Sequence, residues 1–307
     1  MKRAAPLCAL LALGFLLSPT LGRGQAPPQK PKIKVEVNLV NILTSVLDSS
    51  GRPVLDLPKE SFEIYEEGVK QSIDRFEPET NQPLDLALMV DTSLSALKEL
   101  KFEGEAAAHF IRQVVRPGDR LSVFEFSDAV TQLSEFSDNV PELQAAARRI
   151  APGAGTSMYD AVLLGSQALA RRPAERRRVI VLVTDAGETT SVAKFEDTRR
   201  QAILSGALLY TILVRPVKSE NGRNTAGEHA LVTITDSTGG AMYYPDELSQ
   251  LDSMFDRIDR ELRTQYLLGY YPVPRPPAGS YRHIEVRVKS DYVVHYRKVY
   301  FSGWTAQ

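Results

Sequence analysis

The sequence predicts an α/β domain with a doubly wound, mostly parallel sheet, inserted into a discontinuous β-sandwich. From residue 85 to about residue 264, apolar runs of strand length alternate with amphipathic helical patterns. This alternation is typical of a parallel sheet that is covered by helices on both faces. The segments before and after it carry only strand and turn patterns. Because each has too few strands for a stable sandwich, we expect them to combine into one.

The changes of pattern also set the expected boundaries. Residues 1–26 are predicted to be a signal peptide, residues 27–80 and 265–307 the two parts of the sandwich, and residues 81–264 the α/β domain. The chain of 307 residues is long enough for two cores. Its formal net charge of −1 argues against a nucleic-acid partner.

The amino terminus has the pattern of a secretory signal peptide. Lys2 and Arg3 precede an apolar stretch, residues 4–17, that is too short to span a bilayer, so we expect no transmembrane anchor. With cleavage between residues 22 and 26, the mature protein is expected to be exported, either periplasmic or secreted. Cys8, the single cysteine, lies in this segment. Any metal site must therefore use oxygen or histidine ligands.

The predicted strands of the sandwich come from alternating or apolar runs. Three precede the α/β domain, at residues 33–47, 62–68 and 69–76, and three follow it, at residues 266–271, 283–289 and 293–301. Turn-forming residues separate them, including Gly68 and the segment 48–53.

The α/β domain begins with the apolar strand that ends at Asp91. The helix after Ser95 carries one buried stripe, made of Leu97, Leu100, Ala107, Phe110, Ile111 and Val114. A short link forces the next two strands, 121–126 and 130–135, into an antiparallel hairpin. The later strands are predicted at residues 179–184, 207–214 and 241–244, and the later helices at residues 141–150, 157–171, 195–204, 228–235 and 247–264.

Two fully apolar strands end in acids, Asp91 and Asp185. In the common strand order 3-2-1-4-5-6 these strands are neighbours at the point where the order reverses, which is where such sheets bind ligands. Ser93 and Ser95 follow the first acid, and Thr156 lies on a glycine-rich loop that reaches the same edge. Carboxylate and hydroxyl oxygens without thiols or imidazoles suit a hard divalent cation such as Mg²⁺.

This arrangement resembles the von Willebrand factor type A domain and its metal-ion-dependent adhesion site. The D-x-S-x-S motif corresponds to residues 91–95, the threonine loop to Thr156 and the second aspartate motif to residues 184–186. The resemblance covers residues 83–264 and implies a Rossmann-like fold that binds Mg²⁺, or alternatively Mn²⁺ or Ca²⁺. It also implies a metal-dependent protein-binding module, whose partner presents an Asp or Glu as a further ligand. The implied metal ligands are Asp91, Ser93, Ser95, Thr156 and Asp185.

Two positions depart from the family pattern. Leu94 stands where many members have glycine, and Ala186 replaces the glycine after the second aspartate. Both change backbone freedom beside the metal without removing a ligand. The flanking segments resemble those of exported bacterial proteins described as VWFA-related in acidobacteria. That resemblance indicates architecture and export, and it does not indicate a ligand.

Two other functions stay open from the residues alone. A Mg²⁺-dependent phosphoryl-transfer hydrolase also places an aspartate after the first strand, but it typically has a second acid where this chain has Ser93. A degenerate structural domain could use Asp91, Ser93 or Ser95 only as helix caps. We expect a non-enzymatic protein, because no nucleophile is paired with an acid or base.

The remaining polar residues predict structural roles. Asp128 and Asp160 are expected to be solvated, and the arginines of residues 171–178 to form a solvated end of a helix. The histidines have no metal-ligand spacing, and we expect structural or surface roles for His109, His229, His283 and His295.

Overall fold

The computed structural model describes residues 39–78, 82–93, 100–214 and 224–303. The predicted signal peptide, the start of the predicted strand 33–47, Leu94, Ser95 and Leu97 lie outside these residues. Among the described residues, no helix is both long enough and apolar enough to cross a membrane.

The described strands and helices follow the predicted alternation. In chain order the strands are β1 (Val40–Leu47), β2 (Phe62–Glu66), β3 (Val69–Gln71), β4 (Arg75–Glu77), β5 (Leu84–Asp91), β6 (Arg120–Phe126), β7 (Val130–Gln132), β8 (Arg177–Thr184), β9 (Leu208–Leu213), β10 (Met242–Tyr243), β11 (Tyr266–Tyr270), β12 (Tyr281–Val288), β13 (Val293–Tyr296) and β14 (Val299–Phe301). The helices are α1 (Leu100–Val114), α2 (Val140–Ala147), α3 (Met158–Ala170), α4 (Phe195–Ser205), α5 (Thr225–Thr238) and α6 (Leu251–Arg263).

The central sheet has six strands in the order β10-β9-β8-β5-β6-β7. This is the predicted doubly wound order, and β5 pairs in parallel with both β6 and β8. Strand β7 is antiparallel to β6, as the short link between them predicted. Every residue of β5 and β8 is buried, which explains their continuous apolar sequences.

Alternate side chains of β5 enter two different cores. Leu86, Leu88 and Val90 pack with α1, α2 and α6, whereas Ala87 and Met89 pack with α3, α4 and α5. The helices therefore cover both faces of the sheet. This arrangement leaves the carboxyl ends of β5 and β8 as an edge where loops meet.

The remaining strands form two antiparallel sheets, ordered β13-β1-β11-β4 and β14-β12-β2-β3. Each sheet combines strands from before and after the α/β segment, as expected for a discontinuous sandwich. Their facing side chains share one core, which includes Ile42, Ile64 and Leu268.

The prediction of three strands in each terminal segment is wrong. The predicted strand 69–76 is two strands, β3 and β4, that belong to different sheets, and the predicted strand 293–301 divides in the same way into β13 and β14. Tertiary contacts set the second break, because the Lys298 amide donates to the Asp236 carbonyl of α5. An alternating sequence pattern does not report such a change of sheet.

The prediction of a solvated arginine run is also wrong. Arg172 and Arg176 form ion pairs of 2.8 and 2.7 Å with Asp85, whose side chain is fully buried at the start of β5. Arg177 and Arg178 lie within β8 and are buried. A buried carboxylate needs nearby cations, and the sequence did not reveal that Asp85 was buried.

Asp160 was predicted to be solvated, but it also has a structural role. Its carboxylate accepts hydrogen bonds from the amides of Val192 and Ala193. Asp128 is exposed. Three histidines lie beside acids: His109 beside Asp252, His283 beside Glu67 and His295 beside Glu261. His229 is exposed on α5.

Candidate metal site

The first part of the candidate site lies where β5 and β8 end side by side. Asp91 is 3% exposed, and Thr184 Oγ1 donates a hydrogen bond of 2.6 Å to its Oδ2. The Ser93 amide donates to the other carboxylate oxygen at 3.0 Å. Both carboxylate oxygens of Asp91 are thus oriented by groups from the two strand ends.

The threonine loop is fixed against the same edge by main-chain hydrogen bonds. The Gly153 amide donates to the Thr92 carbonyl at 2.9 Å, and the Ser157 amide donates to the Ser127 carbonyl at 2.6 Å. The amides of Thr189 and Thr190, in the loop after β8, donate to the Thr156 carbonyl. Three loops are therefore joined around Thr156, which is 5% exposed.

Gly187 lies between the oxygens of Thr156 and Asp185. A Cβ atom at residue 187 would be 2.9 Å from Asp185 Oδ1 and 3.0 Å from Thr156 Oγ1. The Gly187 amide also donates a hydrogen bond of 2.8 Å to Asp185 Oδ1. Glycine at this position thus leaves space beside two of the predicted ligands, and a side chain there would fill it.

Ala186 adopts a backbone conformation that normally favours glycine. Its φ angle is 64°, in the left-handed region, and its side chain is fully buried. The Ala186 amide donates a hydrogen bond of 3.1 Å to Thr184 Oγ1. The Ala186 carbonyl packs closely on Gly227, because a Cβ atom at residue 227 would be only 2.0 Å from the Ala186 carbonyl oxygen. The loop therefore keeps a glycine-type turn although the sequence has alanine.

Burial raises the pKa of Asp91 to about 6. Hydrogen bonds from Thr184 and Ser93 act in the opposite direction, and the nearby charge of Asp185 adds to the increase. A buried carboxylate next to a second, partly exposed one is costly to ionise. A bound cation would remove this cost, so the donor set fits a divalent metal ion.

Glu188 supports the site from outside the predicted ligand set. Its Oε2 accepts hydrogen bonds from the Tyr159 amide at 3.0 Å and from the Ser191 hydroxyl at 2.8 Å. This carboxylate therefore ties the start of α3 to the loop after β8. The sequence analysis missed Glu188 and Gly187. Gly187 could have been found, because it is a glycine that lies one place later than the glycine of the family's second aspartate motif.

The structure brings four of the five predicted ligands to one edge of the sheet: Asp91, Ser93, Thr156 and Asp185. Ser95 lies outside the described residues. Within the described parts of the chain, no group of three or more His, Cys, Asp or Glu residues could hold a metal ion.

A model of the von Willebrand factor type A domain matches residues 86–188. Residues 86–188 therefore belong to a von Willebrand factor type A domain. The matched segment runs from the strand before Asp91 to the loop after Asp185, so it includes all five predicted ligands. No curated protein matches the chain.

Solved structures of this domain share the fold at low sequence identity. A von Willebrand factor type A protein from Catenulispora acidiphila is 10% identical, with 79% of this chain and 73% of that one covered, at a TM-score of 0.52. The pilus adhesin SpaC from Lactobacillus rhamnosus GG, in its open conformation, is 10% identical, with 85% and 45% covered, at 0.50. The corresponding domain of the pilus tip protein Mfa5 from Porphyromonas gingivalis is 13% identical, with 59% and 95% covered, at 0.47.

Proposed function

We propose that this von Willebrand factor type A domain is a metal-dependent protein-binding module. The observation that supports this most is that Thr156 and Asp185 lie together beside Gly187, with Asp185 close enough to Asp91 for its charge to raise the Asp91 pKa. Two carboxylates, one of them buried, next to hydroxyl groups form a donor set suited to Mg²⁺, Mn²⁺ or Ca²⁺.

The proposed ligands are Asp91, Ser93, Ser95, Thr156 and Asp185. When bound, the cation would offer a coordination position to a carboxylate oxygen of an incoming protein. Three of the five ligands are neutral hydroxyl groups, and an aspartate that acts through water would leave part of the positive charge of the metal uncompensated. An Asp or Glu side chain of the partner is therefore the chemistry that we expect to be recognised.

The fold comparison agrees with an interaction role, because SpaC is a pilus adhesin. Export to the periplasm or the cell exterior would give the domain access to such partners. A phosphoryl-transfer enzyme is the less favoured function, because Ser93 stands where a second acid is expected.

A capture experiment with the immobilised full chain tests the proposal. Exported proteins from the source organism are applied in Mg²⁺ to wild type, to Asp185→Ala and to Asp291→Ala. Asp291 is exposed in a turn of the sandwich, so Asp291→Ala is a matched control. We expect wild type and the control to capture the same protein and to release it with chelator, and Asp185→Ala to capture none. Capture that survives both chelator and Asp185→Ala would contradict the proposal, as would turnover of phosphoester substrates.

A further inference from the structure

A second candidate site lies at the opposite end of the central sheet. A cavity of about 560 Å³ opens where β8 and β9 begin, between the end of α4 and the sandwich strands β1, β11 and β14. Its volume is within the range of pockets that hold small organic ligands. The cavity is separate from Asp91 and Asp185, which lie at the carboxyl ends of the strands.

All the charged side chains that line this cavity, among the described residues, are positively charged. Five arginines contribute to it, and no acidic residue does so among the described residues. These arginines are Arg75, Arg176, Arg177, Arg178 and Arg297. Two of the five are neutralised, since Arg75 pairs with Glu77 and Arg176 with Asp85.

The other three arginines bind only carbonyl and amide oxygens in the described structure. Arg177 donates to the Leu262 and Gln82 carbonyls, and Arg178 donates to those of Ser205 and Arg172. Burial lowers the pKa of Arg177 to about 10, and it also lowers the pKa of Arg178. The charges of Asp119, Asp85 and Glu175 act on these two groups, but no carboxylate is hydrogen-bonded to either of them in the described structure. A directly bound anion would therefore stabilise them further.

Two of these guanidinium groups have a donor without a partner. Arg178 is only 6% exposed, and its Nε has no hydrogen-bond partner in the described structure. The Nε of Arg297 has none either. Unused buried donors on a guanidinium are uncommon, since most buried polar groups form hydrogen bonds. The Nε atoms of Arg178 and Arg297 can therefore each donate a hydrogen bond to a ligand.

Arg297 is held in place before any ligand arrives. Its guanidinium donates to the Asn41 carbonyl, and its main chain packs against Gly239, where a Cβ would be 2.3 Å from the Arg297 amide nitrogen. A charged group that is already positioned loses little conformational entropy when it binds a ligand.

From these observations we propose that the cavity binds a small molecule that carries a phosphate group. A phosphate dianion compensates several guanidinium charges at once, and its oxygens match the paired donors of arginine. Apolar side chains complete the lining, including Leu43, Leu208 and Phe301. The ligand therefore has an apolar body beside its phosphate.

Calorimetric titration of the full chain tests this proposal, with inorganic phosphate, phenyl phosphate and benzoate as probes at constant ionic strength. A chelator in the buffer prevents phosphate from binding through a metal ion at the first site. We expect one phosphate per chain, tighter binding of phenyl phosphate than of inorganic phosphate, and weaker binding of benzoate. No stoichiometric phosphate binding, or equal affinity for benzoate and phenyl phosphate, would overturn the proposal.

Matched variants identify the site. Arg75→Met removes a half-exposed guanidinium at the cavity, and Arg287→Met removes a similar one from β12, outside the cavity lining. Both arginines pair with a glutamate two residues away, so the two variants lose comparable ion pairs. We expect Arg297→Met to weaken phosphate binding about tenfold or more, Arg75→Met to weaken it less because Glu77 already neutralises that charge, and Arg287→Met to leave it unchanged. Equal affinity in all three variants would overturn the assignment.

Discussion

Thr184 Oγ1 donates a hydrogen bond of 2.6 Å to Asp91 Oδ2, which connects the ends of two neighbouring parallel strands. The same hydroxyl accepts a hydrogen bond from the Ala186 amide. One side chain therefore positions both the first acid of the site and the turn that follows the second acid. This relationship makes Thr184 a positioning residue for the predicted metal ligands.

Thr184→Val should destabilise the protein by about 1–3 kcal/mol, because it leaves a buried carboxylate oxygen and a buried amide without partners. Valine has nearly the same shape, so little of the effect comes from packing. Thr233→Val is the control, since that hydroxyl is exposed and binds only the His229 carbonyl within α5. Urea unfolding in chelator measures both variants. Equal loss of stability in the two would show that Thr184 does not hold the site together.

The raised pKa of Asp91 predicts a pH dependence of stability in metal-free protein. Its value of about 6 exceeds the ordinary 3.8, so the native state binds a proton more tightly than the unfolded state does. The contribution of Asp91 to stability is therefore present below pH 4 and is lost as the pH rises through 6. The loss should be about 2–3 kcal/mol relative to Asp91→Asn, which has no carboxylate to ionise.

Unfolding free energies of wild type and Asp91→Asn, measured from pH 4 to pH 8 in chelator, check this prediction. The difference between the two proteins should change across pH 4–6 and should be constant above pH 7. A difference that does not depend on pH would contradict the assignment of the raised pKa to Asp91.

Ala186 predicts an unusual response to glycine. Ala186→Gly removes a left-handed strain of about 1–2 kcal/mol, which offsets the loss of a buried methyl group and the greater freedom of the unfolded chain. The change in the free energy of unfolding should therefore be within about 1 kcal/mol. Ala161→Gly, at a fully buried position of α3, lacks this compensation and should cost clearly more. Equal destabilisation by the two substitutions would show that Ala186 carries no strain.

The alternation of apolar runs and helical stripes was enough to predict the doubly wound sheet, its strand order and the pairing of the two terminal segments. Burial on both faces favours continuous apolar runs in the middle of strands such as β5 and β8, so the sequence reports them directly. The breaks between β3 and β4 and between β13 and β14 could not be predicted. They depend on contacts with residues that are distant in sequence, such as Asp236.

The same distinction applies to the sites. Asp91, Thr156 and Asp185 lie at strand or helix ends, where the fold class alone indicates that they meet. The roles of Asp85, Glu188 and the buried arginines depend on which loops and strand starts come together. No local pattern distinguishes Arg177, which is buried, from an arginine at the solvated end of a helix.

Gly187→Ala should weaken metal binding with little effect on folding. The added methyl group would enter the space between Asp185 Oδ1 and Thr156 Oγ1, whereas the backbone at residue 187 accepts alanine. We expect the affinity for Mg²⁺ to fall about tenfold or more and the thermal unfolding temperature in chelator to stay close to that of wild type. If Gly187→Ala binds Mg²⁺ as tightly as wild type does, the metal does not lie beside Asp185 Oδ1 and Thr156 Oγ1.

Calorimetric titration of the full chain with Mg²⁺ and Mn²⁺ tests the central claim most directly, on wild type, Asp185→Ala and Asp291→Ala. We predict one divalent ion per chain in wild type and in Asp291→Ala, and no binding heat in Asp185→Ala, provided that all three proteins show the same unfolding temperature in chelator. Equal binding heats in wild type and Asp185→Ala, or no heat in any of the three, would contradict a metal-dependent site at this edge of the sheet.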